Sequence, residues 1–371
     1  MGQRAVTLAE VAASVGLSRS TASLVFRGSP AIPEPTRSLV MDAAERLGYV
    51  YNRRAAALRL RRTNTLGLIT PGQANPFFGG LTAEIERLSR LDGYTLLLGN
   101  TLESPEREAE LIRTFMELRI DGLLVVPGIG STPSALRPLA ALGIPTVVLT
   151  RRMEPLTTAY VGSDDRLGGR RAAEHLVAHG CSRVAYFGGP SGVFTHVDRL
   201  AGVRGVLQER GAILDEDWSA HSETTSEAGY DLARRLLKHS APPPGLICHS
   251  DAIALGAVRA LQEAGYAIGE QVRVVGFDDV DHARFWTPAL TTVRVDVTAM
   301  AGAALRALSA QLEPSAPTPE VAALPPRLMV RESCGCLPAR TVTPRDGDRP
   351  RSPGARAAAG GESRPRTRAT T

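Results

Sequence analysis

The stretch VTLAEVAASVGLSRSTASLVFRG, from Val6 to Gly28, contains two short helical patterns separated by a glycine. Thr7 and Glu10 have the spacing of a capping box, which predicts that a helix starts there. Gly16 permits the turn that follows, because glycine tolerates backbone conformations that a β-carbon disfavours. Ser18 is a good N-terminal cap for the second helix. This order of helix, short turn and helix predicts a helix-turn-helix unit.

The second of these helices begins with polar rather than apolar side chains. In DNA-binding helix-turn-helix units, the N-terminal end of the second helix enters the major groove. Arg19 could donate two hydrogen bonds to a guanine, while Ser20 and Thr21 could bond base edges or phosphates. Ser23 and Arg27 lie further along the helix and are expected to contact the phosphate backbone. A helical hairpin inside another kind of domain is the alternative, because short matches to this motif are common.

Charge is distributed unevenly along the 371 residues, whose formal net charge is +5. Residues 1–62 contain ten arginines and four acidic residues, and residues 340–371 contain eight arginines and three acidic residues. The middle of the chain is therefore acidic. A basic head on an acidic body is typical of a nucleic-acid-binding segment joined to a separate domain, although a solvated charged surface gives the same balance.

The sequence shows no signal peptide and no apolar run long enough to span a membrane. Its four cysteines, Cys181, Cys248, Cys334 and Cys336, lack the spacing of a disulfide framework. We therefore expect a cytoplasmic protein with reduced thiols and no membrane partner.

A third helix is predicted to start near Pro35 and to end at Gly48. Its predicted apolar face consists of Leu39, Val40, Ala43, Ala44 and Leu47. The segment YVYNRRAAALRLRRTNT, residues 49–65, has too little apolar surface and too much positive charge to form a stable helix alone. We expect this segment to fold only when a protein partner and a polyanion are both present.

Residues 6–58 resemble the DNA-binding headpiece and hinge of the lactose/galactose repressor (LacI/GalR) family of bacterial transcription regulators. The matching pieces are VTLAEVA, VGLSRSTAS, GSP, AAERLGYVYNR and AAALR. In that family two hinge helices pair in the minor groove and a leucine enters the central base step, as apolar wedges do in bent duplexes. The resemblance assigns this role to Leu58, with Asn52, Arg53 and Ala55 in the same hinge. The full set of predicted DNA-binding residues is Thr7, Ser18, Arg19, Ser20, Thr21, Ser23, Arg27, Asn52, Arg53, Ala55 and Leu58.

From Thr65 onward, short apolar runs alternate with amphipathic stretches. Apolar strands separated by helices predict parallel, doubly wound sheets, and the number of strands predicts two lobes. The predicted strands are 65–70, 94–100, 121–127, 144–150, 183–189, 245–250 and 272–277, and the predicted helices include 105–118, 166–179, 226–238 and 251–264.

Polar or aromatic residues follow several of these strands, at the edge of the sheet where open α/β folds bind their ligands. The candidate effector-binding residues are Asn75, Phe77, Phe78, Asp164, Asp165, Arg199, Ser250 and Asp278. Carboxylate and guanidinium groups bond sugar hydroxyls in a directional way. Structural alternatives exist, because the acidic residues could cap helices, Arg199 could pair with a surface charge and the phenylalanines could be ordinary core.

This second part of the chain resembles the effector-binding core of the same family, which is similar to a two-lobed periplasmic sugar-binding protein. The matching pieces include NPFF, DGLLV, VGSDDRLGGRRAAEHL, SDAIALGAVRAL, VVGFDD, PALTTV and VRESC, so the resemblance covers about residues 6–336. It implies that Arg199 and Asp278 hold polar groups of a small ligand. It also implies that Asp164 lines the cleft and that Phe77 or Phe78 forms an apolar wall.

Other chemical patterns are incomplete. The GGPSG loop lacks the lysine of a P-loop, and the seven histidines accompany no nucleophile elbow. Cys334 and Cys336 could bind a metal, but we identify no second Cys/His pair at a zinc-like spacing. The sequence therefore predicts no metal, no cofactor and no hydrolytic chemistry.

The predicted segments are a helix-turn-helix headpiece (1–50), a hinge (51–63), a first lobe (64–163 and 294–322), a second lobe (164–293 and 323–338) and a disordered basic tail (339–371). The tail is predicted to be an inert extension, with nonspecific attraction to DNA as the alternative. The predicted function is that of a homodimeric repressor that binds a near-palindromic double-stranded DNA operator under the control of a small-molecule effector, a sugar or sugar derivative. The alternatives are a sugar-binding protein that does not bind DNA and an enzyme on an α/β scaffold.

Overall fold

The computed structural model describes residues 6–51, 62–72, 75–155, 158–312 and 321–336. The hinge residues Asn52, Arg53, Ala55 and Leu58 and the tail 339–371 lie outside these ranges, so their assignments stay predictions. No described helix combines the length and the apolar character that crossing a bilayer requires.

Three helices form the N-terminal unit: α1 (Leu8–Ser14), α2 (Arg19–Phe26) and α3 (Glu34–Leu47). The first begins at the predicted capping box, the second is capped by Ser18, and the third ends at Gly48 with a left-handed φ of 67°. A small core joins them, made of Val11, Ala12, Ala22, Val25, Val40, Ala43 and Ala44.

Two leucines of α3 do not belong to this core. Leu39 and Leu47 are 49% and 39% exposed, although the sequence pattern places both on the buried face. That prediction is wrong because α1 and α2 cover only a narrow strip of α3, which runs through Val40, Ala43 and Ala44.

The first lobe is built on a sheet of six strands, all parallel to their neighbours. The strands are β1 (Thr65–Thr70), β2 (Thr95–Asn100), β3 (Gly122–Val125), β4 (Thr146–Leu149), β5 (Ala159–Ser163) and β12 (Val321–Leu324), in the spatial order β12-β5-β4-β3-β1-β2. Its helices are α4 (Pro76–Leu91), α5 (Pro105–Glu117), the short α6 (Arg137–Ala141) after a 3₁₀ turn (Pro133–Leu136), and α11 (Val297–Ala310).

The second lobe has a seven-stranded sheet with a single antiparallel edge among its described strands. The strands are β6 (Arg183–Gly188), β7 (Ile213–Leu214), β8 (Ala220–His221), β9 (Gly245–Cys248), β10 (Arg273–Asp278), β11 (Thr291–Arg294) and β13 (Arg327–Met329), in the order β13-β11-β10-β9-β6-β7, with β8 also paired to β6. Only β13 runs antiparallel to its neighbour. The helices are α7 (Asp165–Ala178), α8 (Phe194–Arg210), α9 (Ser226–Leu237) and α10 (Asp251–Glu263), with a 3₁₀ turn at Asp281–Phe285. The predicted doubly wound architecture of two lobes is confirmed.

The chain passes between the lobes three times, after β5, after β11 and after β12. All four residues of β12 pair with β5, so the predicted boundary between residues 322 and 323 falls inside a first-lobe strand. Arg294 is the last residue of β11 and pairs with Arg327 of β13, so it belongs to the second lobe. Two lobe boundaries therefore lie in the links that follow β11 and β12, and not between residues 293 and 294 or between residues 322 and 323.

Helices α7 and α8 cross backbone to backbone through a pair of glycines. A β-carbon on Gly202 would lie 2.1 Å from the carbonyl oxygen of Arg166, and one on Gly169 would lie 2.0 Å from the carbonyl oxygen of Arg199. Real β-carbons do not approach backbone atoms this closely, so only glycine fits at both positions. This crossing brings the start of α7, with Asp165, against Arg199 on α8.

Candidate functional site

The N-terminal end of α2 presents a group of hydroxyls and one cation to solvent. The Ser18 hydroxyl accepts from the backbone N–H of Thr21 at 3.0 Å and lies 2.7 Å from the Ser20 hydroxyl. Arg19 and Ser20 are exposed, and Thr21 is half-buried. Arg19 forms no salt bridge with any described residue. The helix tip therefore offers hydrogen-bonding groups and a positive charge to an external partner.

The remaining headpiece candidates are held within their own helices. The guanidinium of Arg27 donates from Nε to the backbone oxygen of Ser23 at 3.1 Å, so it lies against the C-terminal end of α2. The Thr7 hydroxyl donates to Glu10 Oε2 at 2.9 Å and accepts from the Glu10 N–H at 3.3 Å. Thr7 thus has the capping role that the sequence predicted, in addition to its proposed contact with DNA.

Arg199 is the centre of a buried charge cluster in the cleft. Its Nε donates to Asp165 Oδ1 at 2.7 Å, and its Nη1 donates to the backbone oxygen of His249 and lies 3.9 Å from Asp278 Oδ1. The guanidinium carbon stacks 3.5 Å from the ring centroid of Phe277. Burial raises the pKa of the Asp165 carboxyl, and the charge of Arg199 offsets that rise in part. Arg199 is therefore a buried cation bonded through Nε and Nη1, and the surface-pair alternative is wrong for it.

Asn75 and Asp278 join the two lobes across this cleft. The side-chain N–H of Asn75, at the start of α4, donates to Asp278 Oδ2 at 3.3 Å. Asp278 has a φ of 111° and the next residue, Asp279, a φ of 58°, both unusual for residues other than glycine. Two ion pairs hold this turn, because Asp279 binds Arg294 at 2.5 Å and Arg331 at 2.6 Å. Backbone strain of this kind is concentrated at ligand-binding sites.

Asp164, Ser250 and Asn75 also cap helices. The Asp164 carboxylate accepts from the N–H of Leu167 at 2.9 Å at the start of α7, and the Ser250 hydroxyl accepts from the N–H of Ile253 at 3.2 Å at the start of α10. Asn75 accepts from the N–H of Phe77 at 3.0 Å. The capping alternative thus describes Asp164 correctly, whereas Asp165 and Asp278 belong to the charge cluster instead.

Phe77 and Phe78 are buried in the core of the first lobe, with 8% and 6% exposure. Their rings meet edge to face with centroids 5.4 Å apart. Phe77 also lines a cavity of about 430 Å³ between α4 and the turn at Asp278. Both are therefore core residues, and Phe77 is the one placed beside open space at the lobe boundary.

The mouth of the cleft contains two arginines that the sequence did not single out. Arg151 is nearly buried and pairs with Glu103 through two bonds of 2.7 and 2.8 Å. Arg152 bonds Asp198 of the second lobe and stacks 4.4 Å from the ring centroid of Phe194. Arg151, Arg152 and Phe194 line a cavity of about 150 Å³ that lies between loops of the two lobes. The Arg152–Asp198 pair is thus a second link across the cleft.

Histidines far apart in sequence meet in the second lobe. The ring of His196 lies 4.6 Å from that of His221 and 6.1 Å from that of His249, measured between centroids. The Tyr186 hydroxyl lies 3.3 Å from His249 Nδ1. Burial, with the charge of Arg199 added, lowers the pKa of His249 well below its usual value, and burial lowers that of His196 to about 4. Both rings are neutral at physiological pH, so each can donate one hydrogen bond and accept another.

Asp278 provides a pH-dependence that can be tested without any ligand. Burial raises the pKa of its carboxyl from 3.8 to about 7, against the opposing effect of Arg199. Because the folded protein holds this proton more tightly than the unfolded chain, the contribution of Asp278 to stability is fully present below pH 3.8 and is lost as pH rises through about 7. We expect the urea midpoint of Asp278→Asn to fall less than that of the parent chain between about pH 5 and about pH 8.

A matched control for this experiment is Asp281→Asn, since the Asp281 side chain is 94% exposed. Its urea midpoint should follow the parent at every pH. Parallel pH profiles for the parent and Asp278→Asn would contradict the assignment of a raised pKa to this carboxyl.

Two family models match the sequence. One, described as bacterial regulatory proteins of the lacI family, matches residues 7–52, and the other, a periplasmic binding protein-like domain, matches residues 173–334. The HTH-type transcriptional regulator DegA of Bacillus subtilis (strain 168) is 30% identical over 333 residues, which cover 89% of this chain and 98% of DegA.

Solved structures show the same architecture. A transcriptional regulator CelR–cellobiose complex is 30% identical, with a TM-score of 0.67 and coverage of 88% of this chain and 99% of CelR. The lac repressor dimer bound to operator and an anti-inducer has a TM-score of 0.78 at 24% identity, with coverage of 89% and 99%, and supports the fold. A helix-turn-helix unit and a two-lobed core thus occur together in these proteins, as they do here.

Proposed function

Because this chain belongs to the LacI family of bacterial regulatory proteins, we propose that it represses transcription as a homodimer on a near-palindromic operator, under the control of a small effector bound between its lobes. As a member of this family, the chain is a transcriptional regulator with a DNA-binding domain and a second domain of the sugar-binding type. Both alternatives raised by the sequence, the enzyme and the sugar binder without DNA binding, conflict with that membership.

The DNA-binding part of the proposal rests on the tip of α2. Arg19 and Ser20 are exposed beside the cap at Ser18, and each can reach a base edge if the helix end enters the major groove. Arg27 carries its charge at the other end of the helix, where a phosphate contact would fix orientation. This division predicts that specificity comes from Arg19, Ser20 and Thr21.

The proposed dimerisation rests on the small number of base pairs that one DNA-binding helix can contact. One recognition helix contacts only a few base pairs, so two copies on a two-fold axis are needed to read a site of useful length. The predicted hinge around Leu58 would then meet its copy between the two half-sites. Since the target is DNA, we place the protein in the cytoplasm.

The observation that carries the effector proposal is the buried cluster of Arg199, Asp165 and Asp278, which Asn75 joins from the other lobe. Burying three charges is costly unless they serve one another or a ligand. A sugar offers several hydroxyls that can bond carboxylate, amide and guanidinium groups at once. Binding there would change the angle between the lobes and hence the spacing of the hinges on DNA.

The effector proposal is tested by a thermal-shift screen of sugars, nucleosides and amino acids against the full chain. We expect one class, sugars or sugar derivatives, to raise the melting temperature, because a ligand that binds only the folded state stabilises it. The same compound should change the affinity for DNA from the chain's own promoter region. A chain that binds no duplex from that region would contradict the DNA-binding part, and a shift produced only by another class would contradict the sugar.

Arg19→Ala is expected to relax base preference at one position of each half-site. A bidentate arginine–guanine contact provides about 1–3 kcal/mol of discrimination, so the selected motif should lose one defined base. The measurement is a binding-site selection from a randomised duplex library, followed by titration of the parent and mutated sites.

Arg46→Ala is the charge-matched control, since Arg46 is an exposed arginine in the last turn of α3, away from the helix tip. It should weaken binding evenly across sequences and leave the selected motif unchanged. An Arg19→Ala motif identical to that of the parent would remove Arg19 from base recognition.

A further inference from the structure

Three side chains with metal-binding atoms, His175, His179 and Cys336, meet at the C-terminal end of α7, and a fourth, Cys334, lies beside two of them. His175 lies in the last turn of this helix, His179 follows one turn later, and Cys334 and Cys336 come from the segment after β13. Ligand atoms of His175, His179 and Cys336 lie within 4.8 Å of one another. Cys336 Sγ is 3.3 Å from His179 Nε2, and the two imidazole centroids are 4.5 Å apart.

One nitrogen of this cluster is buried without a partner. His175 Nε2 forms no hydrogen bond with any described residue. Buried polar atoms are nearly always satisfied, and an unsatisfied one destabilises the fold. A cation bound among these side chains would supply the missing interaction.

The fourth side chain, Cys334, is fully buried and interacts with His175 and Cys336. The Thr291 hydroxyl donates to its sulfur at 3.1 Å. The thiolate is the form of cysteine that binds metals, so a cation bound here would replace the thiol proton that Cys334 donates to the backbone oxygen of Arg331 at 3.3 Å.

We propose that His175, His179, Cys334 and Cys336 bind one divalent cation of the zinc type through two imidazole nitrogens and two thiolates. Histidines one helical turn apart present their rings on the same face, as a shared metal requires. Two nitrogens and two sulfurs form a closed tetrahedral set for Zn²⁺, and binding would release the two thiol protons.

The sequence alone does not predict this site. Cys336 and His179 are 157 residues apart, and the spacing between the cysteine and histidine pairs resembles no compact zinc motif. Only the packing of the segment after β13 against α7 brings the two pairs together. The cation would attach this segment to the helix whose other end carries Asp165.

The test uses the full chain without an affinity tag, reduced, treated with a chelator and then titrated with Co²⁺ and with Zn²⁺. We expect one equivalent of Co²⁺ to bind, with a thiolate-to-cobalt charge-transfer band and the intense visible bands of a tetrahedral site. Zn²⁺ should displace it and raise the melting temperature. A reduced parent chain that shows no thiolate band with Co²⁺ overturns the proposal.

Variants identify the ligands. His179→Ala and Cys336→Ser should each weaken metal binding by at least about tenfold, since even indirect supports of a site cost that much. Cys334→Ser should remove about half of the charge-transfer intensity, because one of two thiolates is lost. His239→Ala and Cys181→Ser are the matched controls, as both residues lie outside the cluster. Parent-like affinity in His179→Ala or Cys336→Ser, or an unchanged band in Cys334→Ser, would refute this ligand set.

Discussion

Arg199→Ala is expected to abolish the effector response and to lower the free energy of unfolding by about 3–5 kcal/mol. The reason for the loss of stability is that Asp165, 5% exposed, and Asp278, also 5% exposed, would remain buried without their cation. The backbone oxygen of His249 would lose a donor as well. Urea unfolding and titration with the compound identified by thermal shift measure the two effects.

Arg204→Ala is the matched control on the same helix. Arg204 forms an exposed pair with Glu216 at 3.3 Å, and such surface pairs contribute at most about 1 kcal/mol. Operator binding should persist in both variants at temperatures where they are folded.

The double variant Arg199→Met with Asp165→Leu separates stability from recognition. Replacing a buried ion pair by apolar residues of similar volume is often neutral or stabilising, so this variant should recover part of the lost stability. It should not recover the effector response, because two of the polar groups proposed to hold the ligand, Arg199 and Asp165, are gone. A double variant that still responds to effector would place the ligand elsewhere.

Gly202→Ala is expected to destabilise the second lobe by about 1–3 kcal/mol or more. Its β-carbon would lie 2.1 Å from the carbonyl oxygen of Arg166, and overpacking against rigid backbone forces the helices apart. Because α7 and α8 carry Asp165 and Arg199, the same displacement should weaken effector binding. Urea midpoints and effector titrations measure both.

Gly205→Ala, one turn further along α8, provides the control. Its β-carbon would meet only the end of the Arg170 side chain, at 3.6 Å. Alanine has the higher helix propensity, so this variant should be as stable as the parent or more stable. Equal stability of Gly202→Ala and Gly205→Ala would contradict the close helix crossing.

The regular elements of the core were largely predictable from sequence. Buried strands such as β1 and β10 are continuous apolar runs, and α9 and α10 have helical periodicity, so local pattern was sufficient. The short strands β5, β7, β8, β11, β12 and β13 were not among the predicted strands, because two to five residues carry too little pattern. Leu39 and Leu47 were wrongly assigned to the buried face of α3, because periodicity does not show how much of a helix its neighbours cover.

The candidate sites divide in the same way. Asp278 and Arg199 were identified because strand ends and a family resemblance point to them. The clusters around His196 and around His175 were not, since their members come from distant segments and meet only through tertiary packing. The dual nature of Asn75, a helix cap that also bonds Asp278, could not be deduced from its position alone.

The three passages of the chain between the lobes have a consequence for synthesis. Helix α11, whose buried residues include Met300, Ala304 and Leu308, lies against the first sheet, yet it is translated after almost the whole second lobe. A nascent chain therefore emerges from the ribosome with one hydrophobic face of its earlier half bare for most of translation. Such a surface is what chaperones recognise, and neither half can be transplanted into another gene by a single recombination event.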